Sequence, residues 1–87
     1  MQREAIFTVI KQQMEDIIDD VDIKSIDESK SMADYGADSL EIVEVVSRSM
    51  KELNLRVRRT SLSEAKTLGD LVDIFEKASQ ESTETVG

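Results

Sequence analysis

Residues 34–53 read DYGADSLEIVEVVSRSMKEL, and this stretch decides the fold. Leu40, Ile42, Val43, Val45, Val46, Met50 and Leu53 recur at helical spacing. Asp38 is a good N-cap, and Glu41 three places on completes a pattern close to a capping box. Gly36 permits a turn with positive φ just before it. A helix is therefore expected to open at Asp38 and continue to Leu53 or so. Ile42, Val45, Val46, Ser49 and Leu53 fall on one stripe of it; Leu40, Val43, Ser47 and Met50 fall on another. A helix with two such stripes is buried all round, or it buries one and shows the other.

Working outward, residues 3–18 repeat the helical spacing through Ile6, Phe7, Ile10, Met14, Ile17 and Ile18. Residues 19–37 lack a period and read as a long loop. Val21, Ile23, Ile26, Met32 and Tyr35 are expected to pin it across the fold. Residues 54–60, NLRVRRT, form a connection. Ser61 to Ala65 can make one short helical turn, with Ser61 and Glu64 spaced as a cap and its acid. Thr67 and Asp70 repeat that spacing before a last helix whose stripe is Leu68, Leu71, Val72, Phe75 and Ala78. The expected class is all-α: a small antiparallel bundle of three long helices plus one short helix, with a long first loop. One domain is expected over 1–79, followed by a disordered tail at 80–87.

Composition narrows the chemistry. The 87 residues include no cysteine, histidine or proline and three glycines. Disulfides and thiolate metal sites are excluded, and the commonest general base and metal ligand are missing. The start MQREAIF alternates apolar with polar residues, unlike a signal peptide, and no apolar run is long enough to span a bilayer. A soluble, cytoplasmic monomer is expected. The net charge of −8 argues against nucleic acid as a partner and favours partners with basic docking patches.

Two kinds of chemistry can be set aside. A serine nucleophile needs a base, and GADSL lacks the flanking glycines of a nucleophile elbow. The acidic run DDVDIKSIDES, residues 19–29, lacks the central glycine and ligand spacing of a calcium loop. Ser39 is left at the first position of a helix, after a surface loop, where another enzyme can reach its hydroxyl. Unpaired N–H groups and the positive end of the helix dipole favour a phosphate ester there. On local physics alone, Ser39 is either such a modification site or merely a residue that starts a helix.

GADSLEIVEVV, residues 36–46, resembles the signature of the acyl carrier proteins, in which the serine of an Asp-Ser-Leu triplet carries 4′-phosphopantetheine. The likeness covers residues 5–79, and KTLGDLVDIFEKA, residues 66–78, is similar to the family's final helix. The resemblance implies a carrier that is not itself an enzyme and binds no metal of its own. Ser39 would hold the arm through a phosphodiester, and Asp38 would help a phosphopantetheinyl transferase recognise the site. Leu40, Val43 and Ser47 would face partners such as an acyltransferase or ketosynthase, flanked by Glu41 and Glu44. Acyl groups would ride as thioesters on the thiol of the arm, which lets a chain without cysteine do thiol chemistry.

The charge pattern departs from that of primary fatty-acid carriers. Residues 48–59 hold five basic residues and one acid, a net of +4, whereas residues 15–38 hold nine acids and two bases, a net of −7. Arg56, Arg58 and Arg59 stand where such carriers often have a proline or an acid. The chain is closer in this respect to discrete carriers of polyketide and related specialised pathways. The arginines are then expected to select a dedicated partner, or else they are a solvated surface. An aminoacyl or peptidyl carrier, a primary fatty-acid carrier and an unmodified helical interaction module are the alternatives.

Overall fold

The computed structural model describes residues 2–85, and the side chains of residues 2–80. Four helices follow in order: α1, Arg3–Ile17; α2, Ser39–Leu53; α3, Arg59–Leu62; and α4, Leu68–Thr85. Among the described residues there is no strand. Part of the stretch expected as a disordered tail is thus helical backbone, and residues 86–87 lie outside the described residues.

Helical spacing becomes core directly. Ile6, Ile10 and Met14 lie four residues apart on α1 and are fully buried. They meet Val45 and Val46 from α2, and Leu68, Leu71, Val72 and Phe75 from α4. The long loop is pinned as its apolar residues suggest. Ile26 and Met32 are buried, while Val21, Ile23 and Tyr35 pack half-buried against the same cluster. Two short 3₁₀ turns, Ile23–Ser25 and Ala33–Tyr35, give it local structure. The Tyr35 hydroxyl accepts the Asp27 amide at 2.6 Å, and its oxygen lies 3.3 Å from the Ser25 carbonyl, to which it donates.

The loop also closes on α4. The amides of Leu68 and Gly69 donate to the carbonyls of Lys30 and Glu28, each at 2.8 Å. These are first-turn amides that have no partner within their own helix. A Cβ on Gly69 would sit 3.3 Å from the Glu28 carbonyl oxygen, so the absent side chain permits the approach. Arg3 adds ion pairs to Glu28 and Asp73, tying the start of α1 to both partners.

Expectation and structure differ at α3. The short helix covers Arg59–Leu62 rather than Ser61 to Ala65. Arg58 is its extended N-cap residue, and the Leu62 amide donates to the Arg58 carbonyl at 3.1 Å. Ser61 therefore lies inside the helix, and its spacing to Glu64 makes no cap. Arg59 belongs to the helix and not to the connection. The Thr67–Asp70 pair does act reciprocally: Asp70 Oδ2 accepts the Thr67 amide at 3.2 Å, and Thr67 Oγ1 accepts the Asp70 amide at 3.1 Å.

Two groups give this fold measurable signatures. Ser49 is fully buried on α2, and its Oγ has no hydrogen-bond partner among the described residues. An unpaired buried hydroxyl keeps its desolvation penalty. Ser49→Ala is expected to stabilise the protein by about 1 kcal/mol, and a lower urea midpoint in the variant would contradict this. The amides of Lys66 and Thr67 hold the Asp70 carboxyl below its ordinary 3.8. A carboxyl depressed on folding stabilises the fold above its unfolded pKa, and that contribution fades as pH falls through the lower folded value. Asp70→Asn should therefore flatten the loss of stability below about pH 4, and unfolding midpoints measured across that range check it.

Candidate functional site

The site is built from the turn upward. Gly36 adopts φ +89°, and a Cβ there would meet nothing within 4 Å. Backbone conformation, not crowding, thus calls for glycine at this position. Beside it the Ala37 amide donates to the Met32 carbonyl at 3.3 Å, and both side chains are buried. The chain then rises out of the core through Asp38, which is extended at φ −87° and ψ 177°.

Asp38 and Glu41 form a complete capping box. Asp38 Oδ1 accepts the Glu41 amide at 2.8 Å, and Glu41 Oε1 accepts the Asp38 amide at 3.0 Å. Two orphan amides of the helix start are satisfied from side chains. Ser39, the first residue of α2, is exposed, and its Oγ makes no hydrogen bond among the described residues. Among the described residues no base hydrogen-bonds its hydroxyl, so the residue offers an accessible hydroxyl and no activated nucleophile.

The two stripes of α2 separate as one buried and one displayed. Val45, Val46 and Ser49 are buried, with Ile42 and Leu53 half-buried beside them. Leu40 and Val43 are 81 % and 61 % exposed, and Ser47 is exposed with them. Met50, on the displayed stripe by spacing, is half-buried and packs against the core. The two acids differ from simple flanking charges. Glu41 is held by the capping box, and Glu44 pairs at 3.3 Å with Arg48, which reaches Asp16 on α1 at 2.8 Å.

A feature that the sequence reading missed lies between α2 and α3. A groove of about 620 Å³ is lined by Ile42, Val43, Val46, Met50, Val57 and Leu62, with Ser47 and Arg59 at hand. Its lining begins at Ile42 and Val43, within about one helical turn of Ser39. Val57 and Leu62 stand as apolar residues among polar neighbours, but no helical or strand period joins them in a stretch read only as a connection and a short turn. Arg56, Arg58 and Arg59 are all exposed, and none forms an ion pair among the described residues.

Comparison with known proteins adds an independent line. Residues 8–75 match a family model described as a phosphopantetheine attachment site. The chain is similar to the acyl carrier protein of Thermotoga maritima, 32 % identical over 75 residues, covering 86 % of this chain and 93 % of the relative. It is similar to the polyketide biosynthesis acyl-carrier-protein AcpK of Bacillus subtilis, 24 % identical over 75 residues, covering 86 % and 92 %. The acyl carrier protein of Porphyromonas gingivalis is 31 % identical over 72 residues, covering 79 % and 92 %. No solved structure matches.

The displayed stripe generates a contrast between two truncations. Leu40→Ala removes an exposed side chain and should change stability by no more than about 0.5 kcal/mol. Ile10→Ala opens a cavity in the core and should cost about 2–5 kcal/mol. Chemical denaturation of both variants checks this, and equal losses would mean that Leu40 is buried.

Proposed function

The chain belongs to the acyl carrier proteins, whose cofactor is 4′-phosphopantetheine, and on that footing we propose that Ser39 is the residue that carries the arm. The observation behind this reading is an exposed hydroxyl, without a hydrogen bond among the described residues, on the capped first turn of α2. Ser39 stands in the Asp-Ser-Leu triplet, within about a turn of an apolar groove. The protein is a carrier and not a catalyst, so a transferase must supply the base that Ser39 lacks.

The fit of the arm rests on residues already described. A phosphodiester on Ser39 lies where the positive end of the α2 dipole favours negative charge. Asp38 commits Oδ1 to the cap and makes no hydrogen bond through Oδ2 among the described residues, which leaves one carboxylate oxygen for a transferase to recognise. The bound arm supplies a terminal thiol that holds acyl groups as thioesters. Ile42, Val46 and Leu62 provide an apolar lining against which a short acyl chain loses water-exposed surface. Leu40 and Val43 offer partner enzymes an exposed apolar contact beside the attachment point.

Membership in the family implies a phosphopantetheinyl transferase and acyl-processing enzymes as partners. The finer reading places the chain in a polyketide or related specialised pathway. Its support is the arginines at 56, 58 and 59, which form no ion pair among the described residues, together with the similarity to a carrier named for polyketide biosynthesis.

Incubation with coenzyme A and a phosphopantetheinyl transferase tests the attachment site. Intact mass should rise by one phosphopantetheine, and peptide mapping should place it on Ser39. Ser39→Ala should gain nothing while its stability stays within about 0.5 kcal/mol of the parent. Modification of the alanine variant, or of another residue in the parent, would overturn the assignment.

A further inference from the structure

The chain's arginines divide into two sets. Arg3 pairs with Glu28 and Asp73, and Arg48 pairs with Asp16 and Glu44. Arg56, Arg58 and Arg59 are exposed and pair with no acid among the described residues. Three such charges within four positions repel one another, and the protein has a net charge of −8 with which it could have answered them. The acids instead gather in residues 15–38.

The unpaired cations are placed together by the fold. Arg56 and Arg58 line a recess of about 240 Å³ with Lys77 from α4, over Val57 and Ile74; Glu64 is its one acid. Arg59, next in the chain, borders the apolar groove beside Val43 and Ser47. A cationic strip thus runs from the edge of the groove, across the start of α3, to α4. An enzyme that covers Val43 on its way to Ser39 meets the groove that Arg59 borders.

We propose that this strip is a docking surface for a carboxylate-rich segment of a partner protein that handles the arm, an inference that rests on Ser39 as the attachment residue. Guanidinium forks bind carboxylates with two parallel hydrogen bonds. The apolar side chains of Val57 and Ile74 let the recess take an acidic segment that also carries an apolar residue. A nucleic acid is a poorer occupant, because its charged backbone runs on past the three arginines over the acidic remainder of the chain, whereas a short acidic segment of a folded partner ends at the strip. The strip would also repel enzymes that present a basic face to an acidic carrier.

The test is a titration of the ¹⁵N-labelled, arm-bearing protein with a short poly-glutamate peptide, and in parallel with poly-glutamine and a single-stranded DNA of equal charge. Poly-glutamate should shift amides at 56–64 and 74–78 and lose about tenfold in affinity between low salt and about 0.15 M. Reversal of all three arginines to glutamate should abolish the shifts. With the chain's own acyl-loading enzyme, the same reversal should raise KM about tenfold at low salt while kcat changes little. Shifts equal with poly-glutamine, equal or tighter binding of the DNA, shifts scattered over the chain, or an unaltered KM would overturn the proposal. Intact mass of each sample reports attachment separately, so a failure at Ser39 is distinguishable from a failure of the strip.

Discussion

The contact on which the rest of the fold depends is the pair of hydrogen bonds from the Leu68 and Gly69 amides to the Lys30 and Glu28 carbonyls. About twenty residues separate α1 from α2, and a segment of that length is costly to order. These bonds satisfy first-turn amides of α4 and loop carbonyls at once, and Arg3 braces the junction from α1 through Glu28 and Asp73. With that end of the loop held, Met32 and Ala37 can seat in the core. The turn at Gly36 then delivers Asp38 to a fixed place. The exposed position of Ser39 is thus set partly by residues thirty positions further along the chain.

From that point a division of labour runs down α2. Val45 and Val46 hold the helix in the bundle, while Leu40 and Val43 are left outside it. Glu41 secures the helix start, and one of its carboxylate oxygens is engaged there by the Asp38 amide. As the proposed attachment residue, Ser39 needs no catalytic neighbours, because a carrier receives its chemistry from other enzymes. Charge is sorted on a larger scale: acids gather on the loop before α2, and arginines without an ion pair among the described residues stand at the start of α3 and just before it.

Much of this was legible in the sequence where one interaction dominates. The stripe at Ile6, Ile10 and Met14 and the stripe at Leu68, Leu71, Val72 and Phe75 read directly as core, because periodic burial is the strongest local signal. Asp38 with Glu41, and Thr67 with Asp70, read as caps because cap chemistry is local too. The same rule misled at Ser61 and Glu64. There the Arg58 carbonyl starts the short helix and the hydroxyl spacing is incidental. The groove was not legible, since it exists only once Val57 and Leu62 face α2 across a connection without a period. The loop–α4 hydrogen bonds were invisible for a similar reason: backbone carbonyls carry no sequence signature. The orphan Oγ of Ser49 was likewise hidden, because a serine on a buried stripe says nothing about its partners.

Under the proposed attachment at Ser39, the bundle is preformed and does not repack to receive the arm. The most direct measurement compares backbone amide shifts of the protein before and after phosphopantetheinylation, residue by residue. Changes should be confined to the first turns of α2, the preceding turn at 36–38 and the lining of the adjoining groove, with Ile10 and Phe75 unmoved. Shifts spread through the cores of α1 and α4, or centred on a residue other than Ser39, would contradict it.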